Sequence, residues 1–458
     1  MTPPTPPSPR DSPPAAEPQG ADQDAIELSK LWVLMVSAFV DMIGFALIVP
    51  LLPFYATRFG ADAFLVGVLM GIFAFGQMMT APLWGRLSDR IGRKPVLLAS
   101  QAVSALAFTI FALADSVWLL LICRLLQGVG AGTLGAVSAF VSDAVRPQER
   151  AQALGWITAC TSAGVMVGPA IGSLTVGWST AAPGFIAAGF CLLNILFTWT
   201  SLQEARKPMS RQERAQAGPR PALGGQLLAV FREPATNAHG LIWIYTAGMM
   251  AFMALTGIMA LFVESRFGVT VQKIGWFYVA VGAVSVVMRG LLLGRLVRAL
   301  GEVRVLRLGA LSLGVGMIGM ALSTSAWQFA LMMLLVPTGT AMLFPCTTSL
   351  ITRYADPDHV GETVGLQQAF GGISRLTGPM WAGAVYQQVG QQTPFWIAGV
   401  LVWITAAFSL KLRPGGAPKR DPRAAQGPSG PAGPENAETE LASAAAETAP
   451  PRPQTKAR

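Results

Sequence analysis

Long apolar runs, separated by short polar loops, fill most of the chain between residues 31 and 412. Each run holds about 20 residues, the length that an α-helix needs to cross the roughly 30 Å hydrocarbon core of a bilayer. No run shows the apolar/polar alternation of a membrane barrel, and a helix satisfies its own backbone hydrogen bonds in lipid. We therefore predict an all-α membrane protein with twelve transmembrane helices. The predicted spans, numbered 1 to 12, cover residues 31–54, 64–84, 95–114, 117–142, 152–174, 182–202, 239–263, 274–294, 304–324, 326–352, 362–387 and 393–412.

Basic residues are concentrated in every second loop. The loops after spans 2, 4, 6, 8 and 10 hold seventeen Lys and Arg residues, whereas the opposite loops hold only Arg58, Arg266 and Lys273. Cytoplasmic loops carry such an excess, so both chain ends are predicted to be cytoplasmic. Segments 1–29 and 414–458 are rich in Pro and Ala and lack apolar periodicity, which predicts disordered cytoplasmic tails.

An internal repeat crosses the polar segment 204–238, which is predicted to be a cytoplasmic linker. Matches at nearly constant offset predict two pseudo-symmetric six-helix bundles, residues 30–203 and 239–413, with a cavity between them. The three matches, at offsets of 208, 209 and 210 residues, pair Arg58-Phe59-Gly60 with Arg266-Phe267-Gly268, Gly85-Arg86-Leu87 with Gly294-Arg295-Leu296, and Gly168-Pro169 with Gly378-Pro379.

The amino-acid composition excludes several classes of function. Of the residues, 52% are hydrophobic and 12% are charged, about half the charged share of a soluble domain. The net charge of +9 is spread over short loops and not over one basic face, so we expect no nucleic-acid partner. The four cysteines lie inside apolar runs, there are two histidines, and the phosphate-binding sequence GxxxxGK[ST] is absent. We expect no metal, no cofactor and no enzymatic activity.

Asp41 is the only carboxylate well inside a predicted span. At ~1.5 Å of rise per residue it lies about 15 Å from the start of span 1, near the middle of the bilayer. Intramembrane acids are expensive and mostly functional, so Asp41 is a candidate proton carrier. The alternative is a permanent ion pair with an arginine that only fixes helix packing.

Other polar residues inside spans are candidates for the same site. Arg124 of span 4 must face protein or water and have a partner, because a charge in lipid costs ~2.5–3.5 kcal/mol. Arg375 lies deep in span 11 and suits an acidic or polar group of a substrate, and Gln368 lies in the same span. Arg289 is nearer a span end, where its side chain can reach the headgroups.

The loop between spans 2 and 3 carries the strongest motif, Gly85-Arg86-Leu87-Ser88-Asp89-Arg90-Ile91-Gly92-Arg93-Lys94. Positive charge facing the cytoplasm accounts for the basic residues but not for Asp89 or the two glycines. The motif resembles the G-x-x-x-D-x-x-G-R-K/R signature of the major facilitator superfamily. That resemblance implies a conformational gate in which Asp89 meets the positive N-terminus of span 11 and closes the cytoplasmic side. The implied gating residues are Gly85, Asp89, Gly92, Arg93 and Lys94.

Span 5 contains a second motif, with Gly164, Gly168, Pro169 and Gly172 in the run Gly164-Val165-Met166-Val167-Gly168-Pro169-Ala170-Ile171-Gly172-Ser173. Glycines four apart form a smooth helix face that another helix can approach closely, and generic packing is one interpretation. The run resembles G-x-x-x-G-P-x-x-G-G, the signature of drug/proton antiporters within the superfamily. Ser173 replaces the final glycine.

Spans 1 and 4 extend the resemblance to tetracycline/proton antiporters and related multidrug efflux transporters. Asp41-Met42-Ile43-Gly44-Phe45 is similar to their span 1, and Arg124-Leu125-Leu126-Gln127-Gly128 resembles their R-x-x-Q-G signature. The resemblance implies proton coupling through Asp41 and Arg124 and a substrate contact at Gln77 of span 2. Tetracycline antiporters have further aspartates in spans 3 and 9, whereas this chain has Ala107 and no acid between Val303 and Ser325.

These observations predict a proton-driven antiporter that exports a small amphipathic compound, a drug or an antibiotic, by alternating access. The expected partners are the small-molecule substrate, protons and the lipid bilayer, and we expect a monomeric multi-pass protein of the cytoplasmic (inner) cell membrane. A proton-coupled importer of a metabolite or sugar is the alternative within transporters. A non-transporting membrane receptor is a more remote one.

Overall fold

The computed structural model describes residues 19–132, 135–137, 140–141, 145, 149–202, 204, 237–355 and 360–411. Within these residues the chain forms helices and no strand, which confirms the all-α class. Eleven helical stretches are long and apolar enough to cross a membrane. The helix Val360–Gln388 is not one of them, because glutamines and Arg375 lower its mean hydropathy. The count of twelve spans and the cytoplasmic position of both termini therefore stay predictions.

Each helix is numbered after the predicted span that it fills. In the first half, α1 comprises Gln19–Ile48 and Leu52–Arg58, α2 is Ala63–Ile91, α3 is Arg93–Ala112, α4 is Val117–Gly130, α5 is Arg150–Thr175 and α6 is Ala182–Ser201. In the second half, α7 is Asn237–Phe267 and α8 comprises Val271–Val287, the π-helical turn Met288–Leu292 and Leu293–Leu300. The remaining helices are α9 (Glu302–Leu322), α10 (Ala326–Met333 and Leu335–Tyr354), α11 (Val360–Gln388) and α12 (Thr393–Ala406, followed by the 3-10 turn Ala407–Lys411).

The start of α1 differs most from the predicted spans. α1 begins at Gln19, inside the segment 1–29 that was assigned to a tail. The first helical segment of α4 ends at Gly130 in a glycine-rich stretch, and residues 135–137 and 140–141, inside the predicted span 117–142, are helical again. Residues 1–18, 205–236 and 412–458 lie outside the described part of the chain, so the tails and the linker stay predictions.

The internal repeat is visible in the backbone conformation. Gly92 turns the chain between α2 and α3 with a φ of 102°, and Gly301 makes the equivalent turn between α8 and α9 with a φ of 80°. Gly60 and Gly268, the glycines of the repeated Arg-Phe-Gly sequences, have φ angles of 82° and 63°. Residues that carry a side chain rarely adopt φ angles in this left-handed region. The paired glycines therefore mark equivalent turns of two related halves.

The glycine face of α5 packs within its own half, against α1. A Cβ atom on Gly168 would lie 2.8 Å from the carbonyl oxygen of Ile43, and one on Gly164 would lie 2.6 Å from that of Phe39. The equivalent face of α11 packs on α7, where a Cβ on Gly378 would lie 2.8 Å from Cβ of Met253. The small residues therefore allow the backbones of α1 and α5, and of α7 and α11, to approach closely.

The two halves touch at one end and separate at the other. At the end predicted to face outward, Gly67 of α2 lies against the carbonyl of Pro379 in α11, and Gly275 of α8 lies against that of Pro169 in α5. At the other end of the same helices, a Cβ on Gly85 or Gly155 would meet no atom within 4 Å among the described residues. Gly290, Gly361 and Gly365 have the same open surroundings among those residues. The cleft between the halves is thus closed on the predicted outer side.

Candidate functional site

One cavity of about 480 Å³ lies between the two halves. Its walls come from α1, α2, α3, α4 and α6 of the first half and from α7 and α11 of the second. This volume is in the range of pockets that hold drug-sized molecules. All five residues predicted for proton coupling and substrate binding line this cavity: Asp41, Gln77, Arg124, Gln368 and Arg375.

The carboxylate of Asp41 is held by a neighbouring amide. Nδ2 of Asn194 in α6 donates a hydrogen bond of 2.7 Å to Oδ1 of Asp41 and one of 3.1 Å to the carbonyl oxygen of Ser37. Asn194 is 2% exposed, so its side chain is fixed inside the first half. The sequence shows Asn194 only as one more polar residue within a span, because its partner depends on how α1 and α6 are rotated against each other.

Behind Asp41, a buried polar cluster fills the space between α1, α3 and α6. Nε2 of Gln101 donates a hydrogen bond of 3.1 Å to Oγ of Ser37, whose hydroxyl also lies 3.5 Å from that of Thr198. All three side chains are at most 2% exposed. Sequence reasoning missed this cluster, since Ser and Thr side chains inside a helix usually bond to their own backbone.

Arg124 of α4 is fully engaged by its own half. Its Nε donates a hydrogen bond of 3.2 Å to the carbonyl oxygen of Leu69, and a terminal nitrogen donates one of 2.6 Å to Oε1 of Gln127. The guanidinium carbon lies 4.9 Å from the centre of the Phe73 ring, within the distance of a cation–π contact. The Arg and Gln of the span-4 motif therefore act as a pair that fixes a positive charge beside the cavity.

The wall from the second half is formed mainly by α11. The fully buried side chain of Gln367 donates a hydrogen bond of 2.7 Å to Oγ1 of Thr348 and serves packing, whereas Gln368 lines the cavity. Arg375 lines the cavity two turns further along the same face of α11, and its guanidinium lies near the hydroxyl of Tyr245 in α7. Ser374 donates to the carbonyl oxygen of Thr246 at 3.1 Å and fixes α11 on α7.

The predicted gating loop is tied to its own half. Asp89 pairs with Arg93 at 3.0 Å, and a terminal nitrogen of Arg93 donates to Oγ of Ser88 at 2.9 Å. The carboxylate of Glu204 accepts hydrogen bonds from the backbone N–H groups of Arg93 and Lys94, at 2.9 and 3.0 Å. Glu204 thus caps the N-terminus of α3, a role that the sequence concealed because it is the first residue of the predicted linker.

The span-5 motif contributes to two interfaces. Its glycines face α1, while Pro169 and Ser173 face α8 of the other half. Oγ of Ser173 accepts a hydrogen bond of 2.9 Å from the backbone N–H of Gly275 and donates one of 3.2 Å to the carbonyl oxygen of Val271. The serine that departs from the family signature therefore bridges the two halves on the closed side.

Two related helical halves around a central cavity, closed on one side, are typical of a membrane transporter. A family model described as Major Facilitator Superfamily matches residues 34–379 and 290–453. The chain belongs to the Major Facilitator Superfamily, which confirms the resemblance seen in the motifs.

Relatives in this superfamily are similar over most of their length. The chain is 27% identical to the tetracycline resistance protein, class C, of Escherichia coli over 389 residues, covering 83% of this chain and 96% of the relative. It is 26% identical to multidrug resistance protein 1 of Bacillus subtilis (strain 168) over 387 residues, with coverages of 83% and 95%.

Solved structures show the same fold. The human organic anion transporter MFSD10 (TETRAN) has a TM-score of 0.61 at 22% identity, covering 84% of this chain and 99% of that structure. The peptide transporter POT has a TM-score of 0.69 at 16% identity, with coverages of 85% and 97%. The family and these structural neighbours are transporters, and the chain is a multi-pass membrane protein of this kind.

Proposed function

We propose that the protein is a proton-driven antiporter of the cytoplasmic membrane that exports a small amphipathic compound. The observation that carries this proposal is the cavity, where one carboxylate from an otherwise apolar helix lies beside the aromatic walls of a drug-sized space. Support also comes from the span-5 run and from relatives named for tetracycline and multidrug resistance. Proton coupling and export are the parts of this function that the experiments below test.

Asp41 has the chemistry and position for a proton carrier. In the conformation described here, its carboxylate is reached from the cleft that opens toward the predicted cytoplasmic side. When the halves rock and the other side opens, the same group would meet the proton-rich exterior. Each proton that crosses 100 mV supplies ~2.3 kcal/mol, and binding of cargo and proton in alternation would couple this energy to export.

Arg124 provides a fixed counter-charge for this cycle. Two of its donors bond to Leu69 and Gln127, which would hold the guanidinium in place while Asp41 gains and loses its proton. A positive charge near a carboxyl group favours the ionised form. Arg124 therefore favours proton release from Asp41 in the conformation that brings the two groups nearest to each other.

The gate proposed for the cytoplasmic side is the Asp89 loop. In the described conformation Asp89 is paired with Arg93 and the inner ends of α2 and α11 are apart, as the open surroundings of Gly85 and Gly361 show. Closing that side would bring the Asp89 carboxylate to the N-terminus of α11, where its negative charge suits the helix dipole.

Transport in everted membrane vesicles tests proton coupling directly. Vesicles that hold an acid interior should release protons when a transported member of a panel of tetracyclines, dyes and lipophilic cations is added. Asp41→Asn should abolish the release and keep exchange of labelled compound between equal concentrations. Asp115→Asn is the matched control, because Asp115 is exposed in the loop after α3 and outside the cavity lining. Full proton release by Asp41→Asn would remove the role that we give this residue.

The direction of transport separates the antiporter from a proton-coupled importer of a metabolite or sugar. In a host that lacks its own efflux pumps, expression should lower the cellular content of the transported compound, and an uncoupler should restore it. An importer would raise the content instead. A receptor that does not transport would leave the content unchanged in both conditions.

A further inference from the structure

The charges that line the cavity do not balance. Asp41 supplies one negative charge, and Arg124 and Arg375 supply two positive ones; the other described lining residues are uncharged. Inside a low-dielectric space, an excess positive charge attracts an anion far more strongly than it would in water. The cavity is therefore suited to cargo that brings one negative charge.

Two of the three charged groups are already held by protein atoms. Asn194 donates to Asp41 at 2.7 Å, and Arg124 donates to Leu69 and Gln127 at 3.2 and 2.6 Å. Both sets of contacts lie entirely within the first half. The second half contributes the remaining charge, Arg375, from the opposite wall.

Arg375 has binding capacity to spare. Its Nε is buried and has no hydrogen-bond acceptor among the described residues. A buried donor without an acceptor costs ~1–3 kcal/mol, and more when it is charged, so a ligand that supplies the acceptor gains affinity. A carboxylate matches a guanidinium especially well, because its two oxygens can accept two parallel N–H bonds.

The surroundings of Arg375 are built to hold its guanidinium at the wall. Gly371, one turn earlier in α11, leaves room for the ring of Tyr245, since a Cβ there would lie 2.9 Å from Cε1 of that ring. The Tyr245 hydroxyl and a terminal nitrogen of Arg375 both lie near this position, 3.5 and 3.6 Å from such a Cβ. Gln368 lies two turns earlier on the same face of α11 and also lines the cavity.

We propose that the cargo is an amphipathic organic anion or zwitterion, whose carboxylate or other acidic group binds Arg375. Its apolar body would lie against Phe45, Phe73 and Met253, which line the same space. This inference rests on the proposed function only in taking the cavity as the cargo site. The proposal also predicts electrogenic transport, because export of a monoanion and import of a proton both move positive charge into the cell.

Binding of a matched pair of fluorescent probes tests the inference. Dansylglycine carries a carboxylate, and dansylglycinamide has the same size and an uncharged amide in its place. With the purified full chain in lipid nanodiscs, and empty nanodiscs as the blank, we expect dansylglycine to bind roughly 10- to 100-fold more tightly, the effect of a hydrogen bond to a charged group. Arg375→Gln should remove that preference, and Arg375→Lys should restore part of it.

Arg289→Gln is the control, since it removes an arginine of α8 that does not line the cavity. It should keep the full preference for dansylglycine. The inference is overturned by equal or tighter binding of dansylglycinamide, by a preference that survives Arg375→Gln, or by no saturable binding of either probe. Because no proton gradient is applied, these binding results do not depend on whether Asp41→Asn abolishes proton release in the vesicle assay. A proton antiporter for cations would fail here and still pass the vesicle assay.

Discussion

Gly67 of α2 lies directly against the carbonyl group of Pro379 in α11, so that main-chain atoms of the two halves are in contact. The related pair, Gly275 and Pro169, makes the same contact between α8 and α5, where a Cβ would lie 2.5 Å from the Pro169 carbonyl oxygen. Gly67 and Gly275 are 208 residues apart, and the two prolines 210. The outer seal is therefore built twice, once from each repeat.

Adding a methyl group to this seal should open it. Gly67→Ala places a Cβ onto the Pro379 carbonyl, and overpacking of this kind costs ~1–3 kcal/mol. We expect the equilibrium to shift toward the outward-open form by roughly 5- to 150-fold. The measurement is labelling of a single cysteine, introduced at the cavity residue Thr256 in a cysteine-free background, by an impermeant maleimide added outside intact cells.

Gly85→Ala is the control for that prediction. It makes the same change in the same helix, at a position where a Cβ meets no atom within 4 Å among the described residues. Its labelling rate should match that of the parent. Equal rates for Gly67→Ala and Gly85→Ala would show that the Gly67 contact does not limit opening.

Ser173 should stabilise the closed outer side through its two bonds to α8. Ser173→Ala removes both the bond from the Gly275 N–H and the bond to the Val271 carbonyl. At ~0.5–1.5 kcal/mol for each hydrogen bond, labelling at Thr256 should rise several-fold. Ser162→Ala is the comparison, because its hydroxyl donates to the carbonyl oxygen of Thr158 in its own helix. A Ser173→Ala rate no higher than that of Ser162→Ala would contradict the bridge.

Asn194 should act as a positioning residue for Asp41. Asn194→Ala removes the 2.7 Å bond that orients the carboxylate, so we expect proton release in the vesicle assay to slow by about tenfold, the effect of ~1.4 kcal/mol. Exchange of labelled compound without a gradient should persist, because Asn194 does not line the cavity. If both activities fall together, or only exchange falls, Asn194 serves folding or cargo binding instead.

Glu204 should stabilise the first half as a helix cap. Glu204→Gln keeps the shape and removes the negative charge that faces the N-terminus of α3, which should lower the free energy of unfolding by ~0.3–1 kcal/mol. Thermal unfolding in detergent measures the change. Glu149→Gln serves as the control, since Glu149 stands at the start of α5 without a side-chain capping bond. A shift shared by both variants would assign the effect to net charge alone.

Hydrophobic pattern and charge placement predicted much of this molecule. Apolar runs located the helices, because crossing a bilayer demands a fixed length of apolar residues. The cost of intramembrane charge singled out Asp41, Arg124 and Arg375, and the structure brings all three to one cavity. Each of these signals is local in the sequence.

The remaining features depend on how helices are rotated and paired. Asn194 carries no charge, and nothing in the residues around it indicates that its amide bonds to Asp41. From the sequence alone, the amide could equally serve helix packing. Gly67 is one of 49 glycines, and only the approach of α11 gives it a particular role. Glu204 could not be identified as a cap without knowing that the end of α6 returns to the start of α3.

The seal formed by Gly67 and Gly275 uses no side chain of either residue, whereas the cavity wall consists of side chains. Substitutions at cavity positions such as Phe45 or Met253 can therefore retune what is carried and leave the fit of the two halves intact. New cargo preferences become accessible through single point mutations, without redesign of the machinery that moves. A transporter under changing selection would benefit from this separation.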